Sequence, residues 1–450
     1  MRVLLIQVPT SHLGAGERVY PLGLSRLSGT ISGSAETAGL DMNLSPDPWP
    51  ELMEKLGQVR PQLVALSFRN LDPLAGHHTS YLSSLKTAAR LVRRLAPRAC
   101  IIAGGPAFSL FARRLMQEIP EIDGGLVGEG ETVFSRLATN ADTLAAIPGL
   151  VWRKGDLLVG NPQGKRIALD CLPKLDTRVF DPWDYLAGNK YIAAMGIEGK
   201  RGCDLCCSYC VYPCLGGGRM RLRSPKKIVD EMEWLHHEFG ACLFHFTDAV
   251  VNRPSDHFEA MCLEILNRKL SVGWTGFFRE NHLTIRQADL AIRAGLVAIY
   301  FSGDALGEYG LKLLKKGLTR QDLIRAAQVT AETGVLTMCH FLSNLPGEDG
   351  KHLQEAWETL DAIIEIHAPV GNLGAVIFNT VRLYPGAPLT KKLMSEGLID
   401  PGADLLYPTY YNPSATAHVL HEMEARCHSA GVFSRLALMS EEPGGNDGAL

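Results

Sequence analysis

Apolar residues along the first 130 positions come in short runs, separated by longer stretches with a helical period. Residues 2–8, 63–67, 99–103 and 125–127 carry few charges, have strand length and are bounded by turn residues, as buried parallel strands are. Between the second and third runs, residues 81–95 place Leu82, Leu85, Ala88, Ala89, Val92 and Leu95 on one face at the 3.6-residue period. Strand and helix alternating in this way predict an α/β fold with a doubly wound parallel sheet.

That sheet, Rossmann-like and assigned to residues 1–140, places its ligand beyond the carboxyl ends of its strands. The loops there are Pro9-Thr10-Ser11-His12, Ser67-Phe68-Arg69-Asn70, Gly104-Gly105-Pro106 and Gly128-Glu129-Gly130-Glu131. Glycine in such loops lets the backbone approach a large ligand closely. A tight turn alone accounts for any one of them; four loops after four successive strands point to a ligand.

Residues 141–190 read as a linker containing a hairpin around Lys154-Gly155 and a stretch broken by Pro173 and Pro182. Beyond them the alternation resumes. Ser224-Pro225 opens a helix whose Ile228, Met232, Leu235 and Phe239 share a face, and Gly240 closes it. Strands are expected at 191–196, 241–246, 270–276, 297–302, 335–342 and 374–381. Six β/α units make a partial (β/α)6 barrel over residues 191–385, shorter than a closed barrel of eight. Residues 386–450 form a helical and irregular remainder, with an amphipathic segment near 417–438.

Composition narrows the partners. The chain has 450 residues, and 45 Lys plus Arg against 48 Asp plus Glu leave no basic excess to neutralise a nucleic-acid backbone. A hydrophobic content of 46% excludes general disorder. No apolar run is long enough to span a membrane, and the run at residues 3–8 suits a buried strand better than a signal peptide. A cytoplasmic protein is expected.

Cysteine usage carries the chemistry. Of 11 cysteines, Cys203, Cys206, Cys207, Cys210 and Cys214 are clustered, which in a reducing compartment suggests metal or redox work rather than disulfides. Cys100, Cys171, Cys242, Cys262, Cys339 and Cys427 are scattered and are assigned to packing. Cys203, Cys207 and Cys210 form C-x3-C-x2-C, with Tyr209 just before the third thiol. Three thiolates on one loop hold three corners of a cubane cluster and leave the fourth iron open to a ligand. Zinc is the bland alternative, on the adjoining pairs or on the shifted set Cys207, Cys210 and Cys214. The two C-x2-C pairs abut, however, and closing a tetrahedron around one ion would strain the loop.

This segment resembles the radical S-adenosylmethionine (SAM) superfamily. The chain as far as about residue 395 resembles its cobalamin-binding branch, because the Gly-Gly-Pro, Gly-Glu-Gly-Glu and cysteine motifs are followed by Leu345-Pro346-Gly347-Glu348 and Tyr384-Pro385-Gly386 in that branch's order. The resemblance implies a 4Fe-4S cluster on the triad, with SAM chelating the open iron through its amino and carboxylate groups. It implies SAM contacts from Tyr209, Asp248, Ser302 and Glu280. Cobalamin contacts are implied at Thr10, Ser11, Ser67, Arg69, Asn70, Gly104, Gly105, Pro106, Gly128 and Glu129. Asp248 and Ser302 also read as capping or turn residues, and Arg279 with Glu280 as a surface pair. The basic residues Arg219, Arg221, Arg223, Lys226 and Lys227 read as a solvated helix start or as the site of an anionic ligand.

The chain departs from cobalamin domains that ligate cobalt from below through D-x-H-x-x-G. Thr10-Ser11-His12-Leu13-Gly14 lacks the Asp and the spacing, so His12 reads as a loop histidine. Arg69 would lie under the corrin ring, where a permanently protonated guanidinium cannot ligate cobalt. It would favour methyl-cation transfer, as in the tryptophan methyltransferases of thiopeptide biosynthesis that belong to this branch. The resemblance implies a cobalamin-dependent methyltransferase acting on a small metabolite or peptide in a biosynthetic pathway, with an external electron donor. Two alternatives remain: a cobalamin-free enzyme that transfers a 3-amino-3-carboxypropyl group, and a non-enzymatic iron–sulfur or zinc binding module.

Overall fold

The computed structural model describes residues 1–10, 18–72, 79–139, 143–186 and 193–436. Its contacts group the chain into two compact units: residues 1–71, 80–205 and 211–299 in the first, and residues 72–79, 206–210 and 300–450 in the second. Ser11, His12, Tyr191 and the end of the 417–438 segment lie outside the described residues.

The first unit opens with strands β1 (Arg2–Gln7), β2 (Glu36–Asp41), β3 (Leu63–Ser67), β4 (Cys100–Gly104), β5 (Gly124–Leu126), β6 (Leu150–Lys154) and β7 (Leu157–Gly160). They form one sheet in the order β2-β1-β3-β4-β5-β6-β7, parallel through β5, with the β6–β7 hairpin added antiparallel. Val3, Leu4, Leu5 and Ile6 of β1 are all fully buried, as a strand covered on both faces requires. The helix Leu82–Leu95 buries Leu82, Leu85, Ala88, Ala89 and Val92. Leu95, expected on that face, is instead exposed at the last turn.

Strand β2 was absent from the sequence reading. Glu36-Thr37-Ala38-Gly39-Leu40-Asp41 holds a single large apolar side chain, because β2 is an edge strand and is mostly half-buried. Its packing is by close approach: a Cβ on Gly39 would meet the Val179 carbonyl oxygen at 2.6 Å.

The remaining strands are β8 (Met195–Ile197), β9 (Lys200–Arg201), β10 (Arg221–Leu222), β11 (Leu243–Phe246), β12 (Gly273–Phe278), β13 (Leu296–Asp304), β14 (Leu336–Leu342), β15 (Leu373–Asn379), β16 (Val381–Arg382), β17 (Tyr410–Tyr411) and β18 (Ser434–Leu436). The second large sheet has the open order β18-β15-β14-β13-β12-β11-β8. Strand β11 is parallel to β8 and β12, and β15 is parallel to β14 and β18. Seven strands replace the six expected. The addition is β18, which follows the helix His418–Ser429 and pairs with β15 at Val376, Ile377 and Phe378. Two short antiparallel ribbons, β9–β10 and β16–β17, complete the set.

The helix Pro225–Phe239 forms as expected, with Gly240 closing it at φ 70°. Ser224 occupies the N-cap, yet its side chain makes no capping bond. Among the described residues, no helix is long and apolar enough to cross a membrane.

Candidate active site

The cysteine loop leaves β8 through Glu198-Gly199-Lys200, and a buried carboxylate holds that exit. Asp248, just past β11, accepts both the Gly199 amide (2.8 Å) and the Lys200 amide (2.9 Å) on Oδ1. A Cβ on Gly199 would come within 2.7 Å of Asp248 Oδ2, so glycine is required there. Lys200 Nζ lies 3.8 Å from the same oxygen and donates to the carbonyls of Val251 (2.8 Å) and Arg253 (2.7 Å). Burial pushes Asp248 up to about 6, against the downward pull of Lys200 and the two amides.

Cys203 is buried, and its amide donates to the Gly217 carbonyl at 3.0 Å. Cys207 and Cys210 are half-buried, whereas Cys206 and Cys214 are exposed. Among the described residues, no three His, Cys, Asp or Glu side chains converge where one metal ion would be held. A zinc site would need thiolates roughly 3.8 Å apart around a single ion. A cubane takes a wider set of thiolates than a lone ion does.

In the second unit the loop is pinned residue by residue. Ser208 donates from its amide to Leu314 and from its hydroxyl to Leu313, each at 2.9 Å, and its carbonyl accepts the Leu389 amide at 2.8 Å. The Tyr209 hydroxyl donates to Asp304 Oδ2, and Lys316 Nζ lies 2.6 Å from that oxygen. Burial, then the negative charges of Asp304 and the flanking Cys207 and Cys210, hold the Tyr209 phenol well above its usual range. Asp304 and Lys316 escaped the sequence reading. The first sits two residues past Ser302, and no periodicity marks a charged residue as buried. Ser302 itself is half-buried on β13.

Two assignments change. Arg279 and Glu280 are no surface pair: both are buried, and the Arg279 backbone exchanges hydrogen bonds with the Asn252 amide side chain at 2.8 and 2.9 Å. The basic stretch is not simply a solvated helix start. Arg221 pairs with Glu129, and buried Arg223 lies 2.8 Å from Glu231 Oε2. The scattered cysteines also divide: Cys262, Cys339 and Cys427 are buried and Cys100 half-buried, but Cys171 and Cys242 are exposed.

At the carboxyl ends of the first sheet, the loops after β1 and β3 are tied together. The Thr10 amide donates to Asn43 Oδ1 (2.9 Å), and Asn70 Nδ2 donates to the Thr10 carbonyl (3.3 Å). Ser67 accepts the Val8 amide on its carbonyl at 3.2 Å. Gly105, at φ 103°, is required by the chain itself, since a Cβ would meet the Phe68 carbonyl oxygen at 2.6 Å. Pro106 begins the helix Pro106–Glu118, whose Ser109 hydroxyl accepts the Gly128 amide at 3.0 Å. Arg69 is exposed at this edge; its charge helps lower His245 and works weakly against the burial that raises Asp41. Gln7, the last residue of β1, is buried with its amide nitrogen lacking a hydrogen-bond partner among the described residues. An orphaned buried donor on the last residue of β1 fits a ligand rich in amide oxygens, as cobalamin is.

A parallel sheet with ligand loops, in a chain whose second sheet begins at a three-cysteine loop, defines a radical SAM enzyme carrying a cobalamin domain. The comparisons agree. Residues 197–360 match the Radical SAM superfamily and residues 14–138 the B12 binding domain. An uncharacterised methyltransferase of Pyrococcus horikoshii is 23% identical over 411 residues, covering 89% of this chain and 84% of that protein. The anaerobic magnesium-protoporphyrin IX monomethyl ester cyclase of Rubrivivax gelatinosus is 25% identical over 382 residues, covering 80% of this chain and 65% of the cyclase. Among solved structures, the radical S-adenosylmethionine methyltransferase TsrM from Kitasatospora setae, with tryptophan substrate and a SAM analogue bound, superposes with TM-score 0.78 at 22% identity, covering 96% of this chain and 89% of that one. A second structure of TsrM holds cobalamin and a [4Fe-4S] cluster. The chain thus carries a B12 binding domain and a Radical SAM domain, which imply cobalamin, a 4Fe-4S cluster and SAM as its cofactors.

Proposed function

We propose that this enzyme transfers a methyl group from SAM to a carbon or phosphorus of a small metabolite or peptide, drawing electrons from an external donor. The observation that carries the reading is the braced three-cysteine loop leaving β8, in a chain whose first sheet presents ligand loops after β1, β3, β4 and β5. Cys203, Cys207 and Cys210 would hold the cluster. Thr10, Ser67, Arg69, Asn70, Gly104, Gly105, Pro106 and Gly128 would frame cobalamin, with Gln7 added to that set. Bound there, the cluster supplies an electron and an open iron for SAM, and cobalamin supplies a carrier for the methyl group.

The chain's own residues position and insulate. Asp248 orders the exit from β8 through two backbone amides, and Tyr209 is fixed by Asp304. Ser302 and Glu280 are the remaining SAM contacts. Arg69, an exposed cation at the end of β3 that cannot ligate a metal, favours a polar methyl transfer. The match to a B12 binding domain weighs against aminocarboxypropyl transfer, which needs no cobalamin.

One anaerobic experiment tests the reading. The protein is reconstituted with iron, sulfide and hydroxocobalamin, then incubated with SAM and a reductant. S-adenosylhomocysteine formed only when cobalamin is present is the expected product. Its appearance without 5′-deoxyadenosine would support polar transfer. Methylthioadenosine as the main product would overturn methyl transfer.

A further inference from the structure

Arg201 and Arg221 stand directly opposite one another as register partners on the β9–β10 ribbon. Like charges in cross-strand positions repel, and a ribbon of two residue pairs has too little packing to offset the repulsion. Yet this ribbon closes the cysteine loop. Gly202 and Cys203 follow β9 directly, the Cys203 amide reaches the Gly217 carbonyl, and a Cβ on Gly202 would strike the Arg219 carbonyl.

The countercharge comes from the Gly-Glu-Gly-Glu loop after β5. Glu129 grips Arg221 with both carboxylate oxygens, one at 3.1 Å, and its Oε2 lies 3.4 Å from Arg201 Nη1. Glu131 Oε1 lies 2.6 Å from Arg201 Nη2, and Glu198 Oε1 lies 2.6 Å from Arg201 Nε. Beyond Glu198 the network continues to buried Arg26 (3.9 Å), then Glu231 (2.7 Å), then Arg223 (2.8 Å). Four arginines and four glutamates balance in charge. Every pair is at least partly withdrawn from solvent, where such contacts weigh most and an unmatched member is most costly.

We propose that Glu129 and Glu131 are positioning residues that close the cluster loop by neutralising Arg201 and Arg221, and that Glu129 is not a cobalamin contact. The cobalamin domain thereby becomes a condition for holding the cluster. This rests on the cluster being carried by Cys203, Cys207 and Cys210.

The full-length protein is reconstituted in parallel as wild type, Glu129→Gln, Arg221→Gln and the double variant, and iron, sulfide and retained cobalamin are measured per chain. Glu129→Gln is expected to lower iron at least about threefold while cobalamin stays at the wild-type level. Adding Arg221→Gln removes the repulsion and restores the iron. Arg221→Gln alone leaves Glu129 to Arg201 and keeps its cluster, a readout available even if Glu129→Gln fails to fold. Full iron with lost cobalamin in Glu129→Gln would overturn the proposal, as would iron equally low in the single Glu129 variant and the double variant. A wild type that takes up no iron would instead defeat the cluster assignment beneath it.

Discussion

Lys316 Nζ lies 2.6 Å from Asp304 Oδ2, the oxygen that also accepts the Tyr209 hydroxyl. Both members of the ion pair are buried, and Asp304 holds a left-handed backbone at φ 60°, which Asp tolerates better than most residues. A phenol one residue from Cys210 is thus anchored by a neutralised carboxylate.

Removing one charge of that pair strands the other. Lys316→Met should cost about 3 kcal/mol, seen as a lower urea midpoint, and Asp304→Asn in the same chain should recover most of it. If the double variant is no more stable than the single one, the stranded-charge account is wrong.

The cysteines should separate cleanly on iron content. Serine at position 203, 207 or 210 is expected to abolish the cluster's visible absorbance after anaerobic reconstitution. Cys206→Ser and Cys214→Ser, at exposed positions, should leave it unchanged. Iron lost from Cys214→Ser would point to the shifted triad.

Asp248 gives a stability difference with a definite sign. Its folded-state value, raised by burial to about 6, exceeds the ordinary 3.8. Such a carboxyl favours the folded state most below its unfolded value, and that advantage is lost as pH rises through its folded value. Asp248→Asn keeps an acceptor for the Gly199 and Lys200 amides but does not titrate. The variant should therefore gain on wild type in urea midpoint between about pH 4 and about pH 7. A difference that stays flat over that range would contradict the burial argument.

His245 runs the opposite way. Burial first, then the charge of Arg69, lower it from 6.5 to about 4, and its Nδ1 lies 2.8 Å from Thr275 Oγ1. In that window the unfolded chain binds a proton that the folded chain does not. Its contribution to stability therefore falls as pH drops from 6.5 toward 4, at up to ~1.4 kcal/mol per pH unit. His245→Gln should flatten this part of the profile. Arg69→Gln should shift the His245 imidazole titration upward in an NMR experiment; an unchanged titration would show that Arg69's charge does not reach it.

Much of the α/β plan could be read from the chain because buried parallel strands write themselves as uninterrupted apolar runs: β1 and β3 appear in the sequence almost at their true limits. The edge strand β2 was illegible, since a half-exposed strand packed by glycine leaves no apolar run, and β18 was hidden behind the amphipathic helix before it. Glu129 shows the same limit at the candidate site. Its loop was visible, but its partners Arg201 and Arg221 lie 72 and 92 residues away along the chain.

Local order alone settled what adjacent residues do together: three thiols on a short loop, an aromatic beside the third, glycines where the backbone must turn. Those properties depend on spacing of a few residues, and spacing is written in the sequence. Tertiary structure decided how charges are matched. That Asp304 meets Lys316 and Tyr209, that Asp248 clamps the exit from β8, and that Glu129 answers two opposed arginines all follow from burial, which makes an unpaired charge expensive and selects partners from anywhere in the chain.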